Sequence, residues 1–160
     1  MKIENKPLII SAVLCILALT VMVFSLSVGN RQNEVTFVPP PFDPNAQTGI
    51  PEVPKELGWS ELDAKVFRVS VCGVIVPNET TADIWLTNPE DNDVWLKLRI
   101  LAPDGKILGE TGLIKQGEYV QSIILNTVPS TGSPIILKIM AYEPETYYSA
   151  GSVSLNTSVY

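Results

Sequence analysis

The N-terminal part of the chain contains a long apolar stretch without a charged side chain. It lies between Lys6 and Arg31, and residues 8–24 read LIISAVLCILALTVMVF. A helix rises about 1.5 Å per residue, so residues 8–29 would extend roughly 33 Å and cross a hydrocarbon layer about 30 Å thick. The stretch therefore predicts a transmembrane signal-anchor helix over 8–29, after a short cytoplasmic segment over 1–7.

A cleaved signal peptide is the main alternative for this stretch. Ser25, Ser27 and Gly29 place small residues at the spacing that a signal peptidase requires. The apolar core of a signal peptide is typically about 7–15 residues long, and the core here is longer. The length favours a retained anchor.

Basic residues near the ends of the stretch predict its orientation. Lys2, Lys6 and the α-amino group precede it, whereas only Arg31 follows it closely. Basic residues favour the cytoplasmic side of a membrane. We therefore expect a single-pass protein of the cell membrane, with a cytoplasmic N-terminus and an extracellular C-terminal domain.

The segment after the stretch is rich in proline. Residues 35–54 read VTFVPPPFDPNAQTGIPEVP. Proline fixes φ and lacks a backbone N–H, so residues 30–56 are predicted to form an extended stalk. As an alternative, Phe37, Pro41 and Phe42 would dock into a groove of a partner or fold back onto their own domain.

The remainder of the chain, residues 57–160, has a β pattern. Residues 55–64 suggest a short helical turn. Alternating or β-branched apolar residues then occur in seven runs, at 67–76, 81–87, 93–101, 106–110, 118–125, 134–142 and 152–159. Turn residues separate the runs, and no βαβ alternation is present. The pattern predicts an all-β antiparallel sandwich of about seven strands, immunoglobulin-like or fibronectin-III-like.

The register of one hairpin follows from the side-chain alternation. If runs 81–87 and 93–101 join through a five-residue loop, Trp85 faces Trp95 on the outer side. The same register pairs Asp83 with Lys97, so chemically compatible side chains meet on both faces.

The composition argues against catalysis. The chain has no histidine, which excludes Ser-His-Asp and Cys-His catalysis and any histidine-based metal site. Cys72 is the one cysteine after the apolar stretch; it is interpreted as a half-buried thiol, with a mixed disulfide to a partner as the alternative. The acidic loop 88–93 could collect oxygens for Ca²⁺, but it lacks the glycine and distal glutamate of an EF-hand loop. We expect a non-enzyme with no catalytic residue, metal, cofactor or small-molecule substrate.

Charge and aromatic residues suggest which partners this domain binds. The formal net charge of −6 discourages nucleic-acid binding. Exposed tryptophan beside cations is enriched at protein interfaces. The candidate partner-binding residues are Trp85, Trp95, Lys97, Arg99, Phe37 and Phe42. The alternative is that the chain covers this face itself, with Phe37 and Phe42 filling the space.

Several segments carry a resemblance to a protein group. The segments are the run 87–120 with its Asp-Gly turn, PPPFDPNAQTGIPEVP, GWSELDAKVFRVSVCG and KIMAYEPETYYSAGSVSLNT. The chain resembles small membrane-anchored proteins of Gram-positive, Clostridia-type gut bacteria that are often carried on conjugative elements. The resemblance implies an immunoglobulin-like extracellular domain in a cell-envelope or conjugation-associated setting, and it transfers no functional residues.

Two functions are compatible with these observations. The first is a non-enzymatic envelope module that presents a β-sandwich to another envelope or surface protein. The second is a carbohydrate or cell-wall binding module that uses Trp85 and Trp95.

Overall fold

The computed structural model describes residues 11, 13–22 and 37–160. Residues 1–10, 12 and 23–36 lie outside this description. The chain divides into two compact units, Met1–Val38 and Pro39–Tyr160.

In the first unit, residues 13–22 are helical. The side chains of this segment are exposed, and the Thr20 hydroxyl donates to the Leu17 carbonyl at 2.8 Å. Within the described ranges, no helix has the length and apolar character needed to cross a membrane. Half of the predicted span 8–29 falls outside those ranges, so the transmembrane helix and its orientation stay predictions.

The second unit is built from ten strands and one short 3-10 helix at Lys55–Leu57. The strands are β1 Gln47–Thr48, β2 Trp59–Asp63, β3 Arg68–Cys72, β4 Pro77–Asn78, β5 Thr81–Asn88, β6 Trp95–Leu101, β7 Ile107–Glu110, β8 Glu118–Ile124, β9 Pro134–Tyr142 and β10 Ser149–Ser158.

The strands form two antiparallel sheets that pack face to face. In the first sheet the order is β1-β8-β5-β3-β2, and β4 also pairs with β5. In the second sheet the order is β10-β9-β6-β7. The prediction of an all-β antiparallel sandwich is confirmed at this level.

Side-chain alternation explains the core between the sheets. On β5 the apolar residues Ile84 and Leu86 are fully buried, and on β6 Leu96 and Leu98 are fully buried. Apolar side chains at every second position of a strand lie on one face of the sheet, so both strands direct these side chains into the same layer.

Each of the seven predicted runs contains a strand, but β1, β2 and β4 were not predicted.

The helical turn predicted over 55–64 is wrong after its first residues. Gly58 adopts a left-handed conformation with φ of 61° and closes the 3-10 turn behind Leu57. The chain then continues as β2, where Leu62 pairs with Val69 of β3.

The predicted hairpin between runs 81–87 and 93–101 is wrong, because β5 and β6 belong to different sheets. Thr87 pairs with Tyr119 of β8, and Trp95 pairs with Tyr142 of β9. Alternation is satisfied whether two strands are neighbours in one sheet or face each other across a core, so it could not distinguish these arrangements.

Asn88 stabilises the loop through which the chain passes from β5 in the first sheet to β6 in the second. Its buried side-chain amide donates to the Val94 carbonyl at 2.9 Å and to the Ile114 carbonyl at 3.2 Å. Asn92 donates in turn to Asn88 Oδ1 at 2.6 Å. These side-chain hydrogen bonds hold the loop 88–93 where the chain crosses between the sheets. They take the place of the backbone hydrogen bonds that would join the two strands of a hairpin.

The predicted stalk over 30–56 is wrong from Pro39 onward, because Pro39 begins the second unit. The Asp43 N–H donates to the Leu113 carbonyl at 2.9 Å, and the Leu113 N–H donates to the Pro41 carbonyl at 2.9 Å. Proline removes its own N–H but not its carbonyl or its neighbours' amides, so this segment can still pair with a strand edge. The alternative in which Pro41 and Phe42 fold back onto their domain is the arrangement found.

Gly112 makes this close approach of two backbone segments possible. A Cβ atom at position 112 would lie 2.4 Å from the backbone nitrogen of Asp43. The Gly112 N–H also donates to Asp43 Oδ2 at 2.8 Å. Glycine at this position therefore allows the proline-rich segment to dock.

Candidate functional site

The structure separates the two tryptophans that were predicted to form one site. Trp85 lies on β5 in the first sheet, whereas Trp95, Lys97 and Arg99 lie on β6 in the second sheet. Of the two phenylalanines, Phe42 belongs to the second unit, and Phe37 belongs to the first. A joint surface with both tryptophans is therefore not formed.

Trp95 is enclosed by aromatic side chains of its own domain. Its ring centroid is 4.8 Å from that of Phe42 and 5.3 Å from that of Tyr147, both in edge-to-face geometry. The Lys115 ammonium lies 4.8 Å above the Phe42 ring. Such aromatic contacts stabilise the domain, so Trp95 has an internal packing role.

Lys97 and Arg99 are engaged by one carboxylate. Lys97 Nζ lies 3.2 Å and Arg99 Nε 2.8 Å from Glu110 Oε2, and Lys97 is only 6% exposed. Burial opposes ionisation of Glu110, but the hydrogen bonds and charges of Arg99 and Lys97 prevail and lower its pKa. Both cations are therefore committed to this ion cluster, and Lys97 is inaccessible to a partner.

Trp85 occupies a strained bulge in β5. Its φ is +46°, a left-handed value that side chains rarely adopt, and the pairing of β5 with β8 shifts between Asp83 and Leu86. The indole stacks on Tyr119 at a centroid distance of 6.0 Å. Its Nε1 is buried without a hydrogen-bond partner among residues 37–160.

The bulge orients the Trp85 carbonyl as a hydrogen-bond acceptor on the outer side of the first sheet. This oxygen accepts hydrogen bonds from Trp59 Nε1 at 3.0 Å and from the Thr87 hydroxyl at 3.2 Å. Bulges re-aim backbone and side-chain groups in this way near functional sites. The strained residue thus holds the Trp59 indole in a fixed orientation.

The connection from β1 to β2, residues 49–58, runs from one edge strand of the first sheet to the other. Pro51 is buried in this connection, and Val53 and Leu57 pack against the core cluster. The outer side of the first sheet is therefore partly covered by its own chain.

A cleft of about 370 Å³ opens beside this connection. We name it the Trp59 cleft. Its lining residues are Thr48, Gly49, Ile50, Trp59, Glu61, Ser70, Thr87, Asn88, Pro89, Glu90, Gln116 and Gly117. Trp59 also lines a second cavity of about 340 Å³.

The cysteine of this domain is not a reactive site. Cys72 is fully buried, not half-buried as predicted. Burial raises the pKa of the Cys72 thiol to about 12, and the Asp83 carboxylate adds to the rise. Because the thiolate is the nucleophilic form, this thiol is unreactive at neutral pH.

Sequence reasoning did not select the residues of the Trp59 cleft. Trp59 lies in the segment that was interpreted as a helical turn, and Ser70 lies inside the run 67–76, where only Cys72 was considered. The segment WSELD has apolar residues at positions 59 and 62 only, so it lacks the apolar-polar alternation that would have indicated a strand.

In the parts of the chain that the structure describes, no group of three or more acidic or cysteine side chains is arranged to hold a metal ion. In the acidic loop 88–93, the Asp91 carboxylate is ion-paired with Arg68. Comparison with protein-family models and with curated proteins finds no match to this chain.

Proposed function

We propose that this protein is a non-enzymatic, membrane-anchored module of the bacterial cell envelope. Its C-terminal domain would be an immunoglobulin-like or fibronectin-III-like sandwich that binds another envelope protein, in a surface or conjugation-associated setting. The observation that carries this proposal is the uncharged edge strand β10.

The anchor is supported by the apolar helix of the first unit. The apolar side chains at Val13, Leu14, Ile16, Leu17 and Leu19 are each more than half exposed. Exposed apolar side chains of this size favour a hydrocarbon surrounding over water. The sequence between Lys6 and Arg31 contains no charge that would oppose insertion.

The strand order supports an immunoglobulin-type fold. In that fold, strands A, B and E share one sheet, and strands C, F and G share the other. With β3, β5 and β8 assigned as A, B and E, and β6, β9 and β10 as C, F and G, each strand is in the expected sheet. β7 then corresponds to a C′ strand beside β6, as in the fibronectin-III-like variant.

β10 has the properties of a strand that accepts a partner strand. It is ten residues long, and its sequence, SAGSVSLNTS, contains neither charge nor proline. Its one strand neighbour within residues 37–160 is β9. A long edge without charge or proline presents unpaired backbone groups that another chain can extend.

The contrast with β2 supports this choice. β2, at an edge of the first sheet, carries Glu61 and Asp63, and charges of this kind discourage pairing with a second chain. The C-terminal end of β10 is partly covered, because the Thr157 hydroxyl donates to the Gly73 carbonyl at 2.7 Å. Residues 149–156 therefore form the open part of the edge.

The test is photo-crosslinking in intact cells, with the photoreactive residue at Ser152. We expect one specific adduct with an envelope protein. A second change, Ser154→Lys, should abolish that adduct, because a charge on the edge discourages strand addition. The matched control, Gln121→Lys, places the same charge on β8, which has neighbours on both sides. Adducts that persist in Ser154→Lys, or a C-terminal domain shielded from external protease, would contradict the proposal.

Carbohydrate binding is the second candidate function. The pair of tryptophans first considered for it is divided between the sheets, so Trp85 and Trp95 cannot stack on one sugar chain. The Trp59 cleft is the observation that now favours this candidate.

A further inference from the structure

We infer that the Trp59 cleft is a binding site for a neutral saccharide. This inference rests on the second candidate function, carbohydrate binding, for which it names the site and the ligand class, and it is independent of strand addition at β10.

Trp59 supplies an aromatic platform in the cleft. The indole is partly exposed, and its orientation is fixed by the 3.0 Å bond from Nε1 to the Trp85 carbonyl. The face of an indole is electron-rich, and it attracts the slightly positive C–H groups on one side of a sugar ring. A platform that is fixed before binding loses little conformational entropy when the ligand arrives.

Polar side chains without partners converge on the same space. Ser70 is only 5% exposed, yet its hydroxyl makes no hydrogen bond with any other residue that the structure describes. The side chains of Glu90, Gln116 and Thr48 also line the cleft and likewise have no hydrogen bond within the described ranges. Together they provide hydroxyl, carboxylate and amide groups, which match the donors and acceptors of sugar hydroxyls.

The Ser70 hydroxyl opens onto the cleft. Among the described residues, Trp85 Nε1 is the one fully buried side-chain polar atom without a partner, so the Ser70 oxygen is accessible from the cleft. A sugar hydroxyl within the cleft would give it a direct hydrogen-bond partner. The neighbouring Thr87 hydroxyl is already oriented by its bond to the Trp85 carbonyl and retains acceptor capacity.

Charge selects among ligands. The carboxylates at the cleft are Glu61 and Glu90, and only Glu61 has a cation nearby, with Arg68 at 3.6 Å. A phosphate or uronate would therefore meet net repulsion. The volume of about 370 Å³ is at the small end of the range typical of ligand sites, roughly 300–1,000 Å³. A short neutral segment of a glycan fits both conditions.

The experiment is isothermal titration calorimetry on the full chain in lipid nanodiscs, because glycoside detergents would compete for the site. The probes are neutral tetrasaccharides of glucose, mannose and N-acetylglucosamine, with tetragalacturonate as an anionic control and a proline-rich peptide as a control of another class. We expect at least one neutral tetrasaccharide to bind and both controls to bind more weakly or not at all.

Three variants locate the binding. Gln116→Ala and Glu90→Gln should each weaken binding about fivefold to tenfold, whereas Gln121→Ala and Glu145→Gln, on exposed positions outside the cleft, should leave it unchanged. Ser70→Ala is the sharpest variant: it removes a hydroxyl without a described partner, so folding should be retained while binding weakens.

Three results would overturn the inference. They are no binding of any neutral tetrasaccharide, preferential binding of tetragalacturonate or of the peptide, and binding that the three cleft variants leave unchanged. Loss of strand addition in Ser154→Lys would not affect this measurement, so the two proposals fail separately.

Discussion

The outer sides of the two sheets are covered in different ways. On the first sheet, a backbone segment that includes buried Pro51 covers the surface and leaves the Trp59 cleft beside it. On the second sheet, the ion cluster of Lys97, Arg99 and Glu110 and the aromatic ring of Phe42 occupy the surface. The first arrangement leaves unpartnered polar groups around a cavity, whereas the second pairs its charges internally.

This difference suggests a division of tasks within the domain. Charges that neutralise each other provide rigidity but offer little to a ligand. A cavity with an aromatic wall and unpaired polar groups offers recognition. We therefore propose that a ligand binds at the first sheet and that a partner strand adds to the edge of the second.

The largest effect is expected where the proline-rich segment docks. Gly112→Ala should lower the free energy of unfolding by about 2–3 kcal/mol, because a Cβ there would lie 2.4 Å from the Asp43 nitrogen and force the backbones apart. Urea denaturation followed by tryptophan fluorescence measures this loss. Gly73→Ala is the control, since its Cβ would have only an ordinary contact of 3.6 Å. Equal losses in the two variants would refute close docking at Gly112.

The next effect separates the two cations of the second sheet. Lys97→Met should lower the free energy of unfolding by about 1.5–2 kcal/mol, because it removes a charged hydrogen bond at a buried position. Arg99→Met should cost under about 1 kcal/mol, since Arg99 is partly exposed to solvent. The same urea denaturation compares them. A larger loss for Arg99→Met would show that Lys97 is not the buried member of the cluster.

The smallest effect is a pH dependence from Glu110. Its folded-state pKa is lower than the ordinary value of 4.5, so the ionised carboxylate stabilises the fold above that value. This stabilisation is lost as the pH falls through the lower, folded-state pKa. The difference in unfolding free energy between the natural chain and Glu110→Gln should therefore shrink between pH 7 and pH 3. A difference that does not change with pH would mean that Glu110 is not stabilised by Lys97 and Arg99.

Local alternation was sufficient to predict most of the strands. Runs such as 81–87 and 134–142 carry apolar side chains at every second position, and the structure has strands β5 and β9 there. Alternation reports which side of a strand is buried, and the apolar residues Ile84 and Leu98, at such alternating positions, are fully buried. It does not report which strands are neighbours, so the pairing of Trp85 with Trp95 was wrong.

Contacts between segments that are far apart along the chain could not be predicted from the sequence. The docking of Pro41 and Phe42 depends on Gly112, which is about 70 positions away along the chain. Lys97 was predicted to lie on an exposed outer face beside the tryptophans, as a partner-binding residue. Its burial depends on Glu110, a partner on a separate strand. Such contacts are set by tertiary packing, which no local pattern encodes.

Hydrogen exchange of the full chain in nanodiscs tests the central claim most directly, because it compares the covered and the open regions in one experiment. The account predicts strong protection of the Asp43, Gly49 and Leu113 amides, which donate to backbone carbonyls. It also predicts rapid exchange at alternate amides of residues 151–156 on the open edge of β10. Rapid exchange throughout residues 41–49, or uniform protection along β10 in the isolated protein, would contradict it.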